Sequence, residues 1–309
     1  MFPKSNKRLK VACKAIALVG FVLLVAACDP TETETYNLEF SDTPPDAVHE
    51  YVLGVHPLYN PKRLHEVFSP LTDYLSQQIS GATFRVEASR DYAAYDEKLY
   101  AGRFAFALPN PYQTVNALEH GYRVFGKMGD DHQFRGIILV RKDSGIEKVS
   151  DLKGKAVSFP APTALAATMM PLYYLQAHGL DVMHDLDIQY VGSQESSIMN
   201  VYLGNVVAGA TWPPPWNLLS AERPELEQEL YPIWKTDPLP NNGLVVREDV
   251  AAGVLADVSE VLFSLHEQAV GQKILSGMGL SRFEPAENDT YQPVIDFLGK
   301  FSREVRPLE

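Results

Sequence analysis

The sequence runs to 309 residues, 46% of them hydrophobic and 21% charged, with a formal net charge of −12. So acidic a chain lacks the basic surface that nucleic-acid phosphates require, which excludes that class of partner. Its two cysteines, Cys13 and Cys28, both lie near the start, so the rest of the chain must fold on its core, with no disulfide and no thiolate ligand.

Lys4, Lys7, Arg8, Lys10 and Lys14 form a basic opening without an acidic residue. The apolar run from Ala15 to Ala27 that follows is shorter than the roughly 20 residues needed to span a bilayer. It reads as the core of a signal peptide covering residues 1–27. Leu24-Val25-Ala26-Ala27-Cys28 resembles a lipobox, which implies lipidation of Cys28. Asp29 occupies the place that, in enteric bacteria, keeps a lipoprotein at the inner membrane, so the expected location is the periplasm, lipid-anchored to that membrane. Cleavage removes five positive charges and no negative ones, taking the net charge from −12 to −17. Residues 28–50 carry Thr-Glu-Thr-Glu-Thr and few core-forming side chains, and read as an acidic tether.

Regular alternation begins at Tyr51. Residues 51–55 read as a buried strand broken by His56-Pro57. Residues 61–79 have helical spacing, with Leu64, Phe68, Leu71 and Leu75 on one face. A strand over 83–88, a helix over 91–101 and a strand over 104–108 follow. Pro109-Asn110-Pro111 then opens a helix that Gly121 stops, before a strand over 122–126. The rhythm restarts with a strand over 156–159, a helix over 163–178, a strand over 188–191, a helix over 195–203 and a strand over 206–211. A helix from near Trp216, strands over 231–235 and 244–247, and helices over 258–276 and 292–301 complete the chain.

This pattern predicts an α/β fold of two lobes, each a mainly parallel sheet flanked by helices. Lobe 1 is expected over 51–138 plus 245–309 and lobe 2 over 139–244. Two hinge strands, around 136–141 and 241–247, join them. Such sheets bind ligands at the carboxyl ends of their strands, and two facing sheets form a cleft that can close.

Val140-Arg141-Lys142-Asp143-Ser144-Gly145-Ile146 and Asp151-Leu152-Lys153-Gly154-Lys155 resemble the hinge and second-lobe opening of type II periplasmic binding proteins. Asp91-Tyr92-Ala93-Ala94, Asn110-Pro111-Tyr112, Gly192-Ser193-Gln194, Gly209-Ala210-Thr211 and Leu239-Pro240-Asn241-Asn242 resemble, in order and spacing, the phosphonate, phosphite and phosphate binding family. The resemblance spans about Tyr51 to Asp249. It implies a monomeric solute-binding lipoprotein that captures a small molecule for an ABC permease, with no cofactor, no metal and no chemistry of its own. The alternative is a sensory binding protein feeding a membrane histidine kinase or diguanylate cyclase. Enzyme motifs are missing: His49-Glu50, His65-Glu66 and His266-Glu267 lack a second histidine at helical spacing, and there is no Gly-x-Ser-x-Gly elbow.

The resemblance and the strand ends together nominate His56, Tyr59, Tyr92, Asn110, Tyr112, Thr163, Gln194, Thr211, Trp212 and Asn241 as ligand contacts. Tyrosines can donate a hydroxyl or stack, and Thr163 can cap a helix and touch a ligand at once. The family's hydroxyl-rich anion-binding run is replaced here by Phe159-Pro160-Ala161-Pro162-Thr163-Ala164, in which only Thr163 keeps a hydroxyl and two prolines lack an N–H. Gln194 stands where a histidine is typical, and Trp212 with three prolines where Tyr and Asp are common. A dianion would be poorly paired in such a cleft. The expected ligand is therefore less charged than a classical alkylphosphonate, or partly apolar.

Overall fold

The computed structural model describes residues 48–308. The signal peptide, Cys28 and the tether up to residue 47 lie outside the described residues.

Eleven strands are described. In the first sheet β1 (His49–Val55), β2 (Ala82–Glu87), β3 (Phe106–Leu108) and β4 (Tyr122–Met128) come from the first half of the chain. The second sheet contains β5 (Ile137–Arg141), β6 (Lys155–Phe159), β7 (Leu186–Tyr190), β8 (Ala208–Thr211) and β9 (Leu230–Lys235). The chain then returns to the first sheet with β10 (Gly243–Arg247) and β11 (Phe283–Pro285). The sheet orders are β11-β4-β10-β3-β1-β2 and β7-β6-β8-β5-β9. The fold is thus the expected two-lobed α/β architecture, with one sheet in each lobe.

The sheets are mixed, not mainly parallel. β1 pairs in parallel with β2 and β3, and β6 with β7 and β8. The strand that enters each lobe from the other runs against its neighbours. β10 is antiparallel to β3 and β4, and β5 is antiparallel to β8 and β9. The stretches expected to be hinge strands are therefore sheet members, and the crossings are the shorter segments 129–136 and 236–242. Buried Lys127 holds the first crossing, bonding Asp131 at 2.8 Å and Glu284 at 2.7 Å. Asp131 also accepts from the Asn241 N–H at 3.0 Å, which ties the two crossings together.

Helix Pro61–Gln78 forms as its spacing dictates. The Asn60 side chain caps the Arg63 N–H, Pro61 occupies the first turn where no donor is needed, and Leu64, Phe68, Leu71 and Leu75 are buried. Three details depart from the sequence reading. The helix expected from Thr163 opens at Leu165 with a π turn, Leu165–Met169, and continues as α-helix Met170–Ala177. Pro171 has no N–H to donate within it, consistent with an irregular first turn. Pro213 and Pro214 begin the helix Pro213–Glu222, where prolines fit its first turn. The long C-terminal helix breaks into Ala252–Ser264 and Ala269–Gly277, and β11 follows in a stretch with no alternation to betray it.

Candidate functional site

The carboxyl ends of β1 and β3 face those of β6 and β8 across the cleft. His56 follows β1 directly. Its backbone N–H and its Nδ1–H both donate to the Leu108 carbonyl, at 3.2 and 2.9 Å. The imidazole is 3% exposed, and burial holds its pKa down at about 4. It is therefore neutral at ordinary pH, with Nε2 as an acceptor. Tyr92 and Tyr95 meet the ring edge-on at 6.3 and 6.5 Å.

Tyr92 opens the helix Tyr92–Tyr100, which Asp91 caps through the Ala94 N–H at 2.8 Å. Its hydroxyl is hydrogen-bonded to Gln194 in the opposite lobe, and burial pushes its pKa up. Gln194 accepts in turn from the Thr211 hydroxyl at 2.8 Å. Asn110 makes a second bridge, its Nδ2 donating to the Thr163 carbonyl at 3.0 Å. A capping box with Gln113 fixes Asn110, and Gln113 donates to Asp96 at 2.6 Å. Ala161, Ala164 and Ala167 pack around Tyr92, and Trp212 meets Phe134 edge-on at 5.4 Å.

These elements form a narrow interior walled by His56, Tyr92, Asn110, Phe134, residues 164–167, Gln194, Trp212 and Asn242. Its free volume of about 10 Å³ admits one water at most, so the lobes are shut and a solute enters only when they part. Among the described residues that wall it, none is a lysine, arginine, aspartate or glutamate. A larger groove of about 560 Å³, between helices Pro61–Gln78 and Ala269–Gly277, lies on the surface outside this cleft.

Of the ten nominated contacts, His56, Tyr92, Asn110, Gln194 and Trp212 line the interior, and Thr211 stands directly behind Gln194. Tyr59 sits in an adjoining recess with Arg63, Gln194 and Glu195. Its hydroxyl is buried without a partner and its pKa is pushed up to about 12 by burial. Thr163 contributes its backbone carbonyl to the interlobe bridge. Tyr112 packs into the hydrophobic core. Asn241 faces the crossing, where Nδ2 donates to the Gly129 carbonyl at 2.7 Å and its own carbonyl accepts from Tyr291 at 2.6 Å.

Asn242, one residue later, lines the interior instead. Phe134 and the alanine wall were also missed. The asparagine pair was visible in the sequence, but not which member faces the cleft. Pro160 and Pro162 precede the helix, which begins at Leu165, and take no donor from its first turn. The first-turn N–H groups of Leu165, Ala166 and Ala167 have no intrahelical acceptor, and all three residues line the interior.

Residues 53–291 match the family described as the periplasmic substrate-binding protein of phosphonate ABC transporters. A probable ABC transporter phosphite binding protein of Prochlorococcus marinus is 23% identical over 204 residues, 62% of this chain and 67% of that protein. The tetrathionate sensor histidine kinase of Salmonella typhimurium is 26% identical over 154 residues, 47% of this chain and 26% of the kinase. Among solved structures, a Prochlorococcus marinus protein in complex with methylphosphonate superposes with a TM-score of 0.76 at 19% identity, covering 84% of this chain and all of that one. A binding component of a Pseudomonas aeruginosa phosphonate transporter gives 0.76 at 18% identity, over 83% and 87% of the two chains. At these identities the superpositions establish the fold alone.

Proposed function

The chain belongs to the family of periplasmic substrate-binding proteins of phosphonate ABC transporters, and from that premise we propose that it captures a small solute of low charge between its lobes. The supporting observation is the uncharged interior: neutral His56, Tyr92, Asn110, Gln194, Trp212 and Asn242, with no side-chain cation to pair a dianion. The lobes part to admit the solute, draw the Tyr92–Gln194 and Asn110–Thr163 sides towards each other around it, and present it to a permease. The protein performs no reaction on it. Cys28 carries the lipid that holds it to the periplasmic face of the inner membrane.

Sensing is the second reading, favoured by the stretch shared with the tetrathionate sensor kinase. A thermal-shift screen against phosphite, methylphosphonate, sulfonates, amino acids and small aromatic acids tests the capture reading. A solute at about 100 times its Kd raises stability by about 2.7 kcal/mol. Stabilisation by a monoanionic or neutral solute supports the reading. Stabilisation by dianions alone refutes the low-charge cleft.

A further inference from the structure

The cleft has a donor wall and an acceptor wall, and their arrangement selects a protonation state. Asn242 is fully buried and immediately precedes β10. Its Nδ2 faces the Met128 thioether at 3.4 Å. A thioether can only accept, so the amide NH₂ belongs on that side. Oδ1 is then turned the other way, buried and without a partner. His56 donates Nδ1–H to the Leu108 carbonyl, which leaves Nε2 as a lone-pair acceptor. β3 lies between β1 and β10. The two acceptors are therefore carried on strands about 9.6 Å apart. The opposite lobe offers donors, the free first-turn N–H groups of Leu165, Ala166 and Ala167 at the positive end of their helix.

A ligand held between these walls once the lobes part must give acceptor oxygens to lobe 2 and at least one hydrogen-bond donor to lobe 1. We infer that the cleft takes a phosphorus oxyacid as its protonated monoanion, with the P–OH donated to the Asn242–His56 wall, and rejects the dianion. The inference rests on the capture reading above and names the form of the solute. A dianion has acceptors only and would set an anionic oxygen against the buried Asn242 Oδ1 and the His56 Nε2 lone pair. Methylphosphonate carries one P–OH as its monoanion; methanesulfonate has nearly the same shape and charge but no proton.

The titratable groups around the acceptors do not compete. Tyr92 and Tyr95 face His56, and burial raises both their pKa values. Lys127, Asp131 and Glu284 are bonded to one another behind Asn241, away from the interior. His56 stays neutral across the neutral and alkaline range, so the pH response belongs to the ligand.

Isothermal titration of the protein with methylphosphonate and with methanesulfonate, from pH 6 to pH 9, decides the matter. The expected result is a methylphosphonate Kd that rises about tenfold per pH unit above the ligand's second ionisation. Methanesulfonate should bind at least about a hundredfold more weakly at pH 6. Asn242→Leu should narrow that gap, with its melting temperature reporting whether it folds. A pH-independent methylphosphonate Kd, or equal binding of methanesulfonate, overturns the inference and leaves the capture reading standing. Binding of neither ion also overturns it, and a different solute stabilising the protein in the thermal-shift screen would then preserve capture alone.

Discussion

Arg63 and Glu222 clasp each other across the cleft mouth, Nη1 to Oε2 at 2.8 Å and Nη2 to Oε1 at 2.5 Å. One stands on the first-lobe helix Pro61–Gln78, the other at the end of the second-lobe helix Pro213–Glu222. The bond can form only when the lobes are shut. The guanidinium also lies over the Tyr59 ring, 5.5 Å from its centre, which holds its planar fork in place.

Loss of this clasp should loosen closure without unfolding either lobe. The side chains are 26% and 47% exposed, so the pair is partly screened and contributes about 1 kcal/mol. Arg63→Met and Glu222→Gln should each weaken solute binding about fivefold, and the double variant should be no worse than either single one. Titration calorimetry of all four proteins checks this. Additive losses would mean that the two side chains act independently and that no clasp operates. The Arg63 hydrogen bond also lowers the Glu222 pKa. Its contribution is thus present above the usual glutamate range and disappears as pH falls through the lowered value.

His56 predicts an acid-sensitive fold. Its pKa is about 4 when folded against 6.5 for an ordinary histidine. Between those values the unfolded chain binds a proton that the folded one refuses. Stability from this group is therefore whole above about pH 6.5 and declines towards pH 4, by on the order of 3 kcal/mol. Carboxylates add their own acid dependence, so the measurement is a difference. Denaturant unfolding of the parent and of His56→Gln at pH 7, 5 and 4 should converge as pH falls. Parallel curves would show that His56 is not buried as a neutral ring.

Tyr92→Phe isolates one interlobe hydrogen bond. The ring would still pack on Ala161, Ala164 and Ala167, and only the hydroxyl facing Gln194 is lost. The expected effect is a roughly tenfold loss of solute affinity, as for one hydrogen bond of about 1.4 kcal/mol. Stability without ligand should fall by no more than about 1.5 kcal/mol, because the hydroxyl faces Gln194 in the ligand-free protein as well. A large drop in melting temperature with unchanged affinity would make the hydroxyl structural.

The limits of the sequence reading follow from the same residues. Period and capping made helix Pro61–Gln78 and the strand before His56 legible, because their apolar faces and breakers are local. Sheet direction was not legible. β5 and β10 read as extended stretches, and only the returning chain decides that they run against their neighbours. Strand ends are marked by His56-Pro57 and Pro109-Asn110-Pro111, which made His56 and Asn110 legible as residues facing the interlobe interior. The exchange of Asn241 for Asn242 was beyond reach. Both are polar and adjacent, and only the Gly129 carbonyl and the Met128 sulfur, more than a hundred residues away, decide which one faces inward. Tyr112 packs in the core for the opposite reason, because an aromatic at the second position of a buried helix packs as readily as it binds.

Gly136 couples the first crossing to the donor wall. A Cβ there would stand 2.5 Å from the Ala166 carbonyl oxygen and 2.7 Å from the Pro171 ring. The oxygen is backbone and cannot rotate away, so Gly136→Ala must push the π turn Leu165–Met169 towards the cleft or strain the crossing. Overpacking of this kind costs typically about 1–3 kcal/mol. The displaced residues carry the free N–H groups, so affinity should fall together with stability, in contrast to Tyr92→Phe. Gly253→Ala, on the exposed helix Ala252–Ser264 with open space around its Cβ, is the control and should be neutral or slightly stabilising. Melting temperature and solute Kd for the two variants separate the cases. If Gly136→Ala lowered stability but bound solute normally, the π turn would not be the wall that receives the anion.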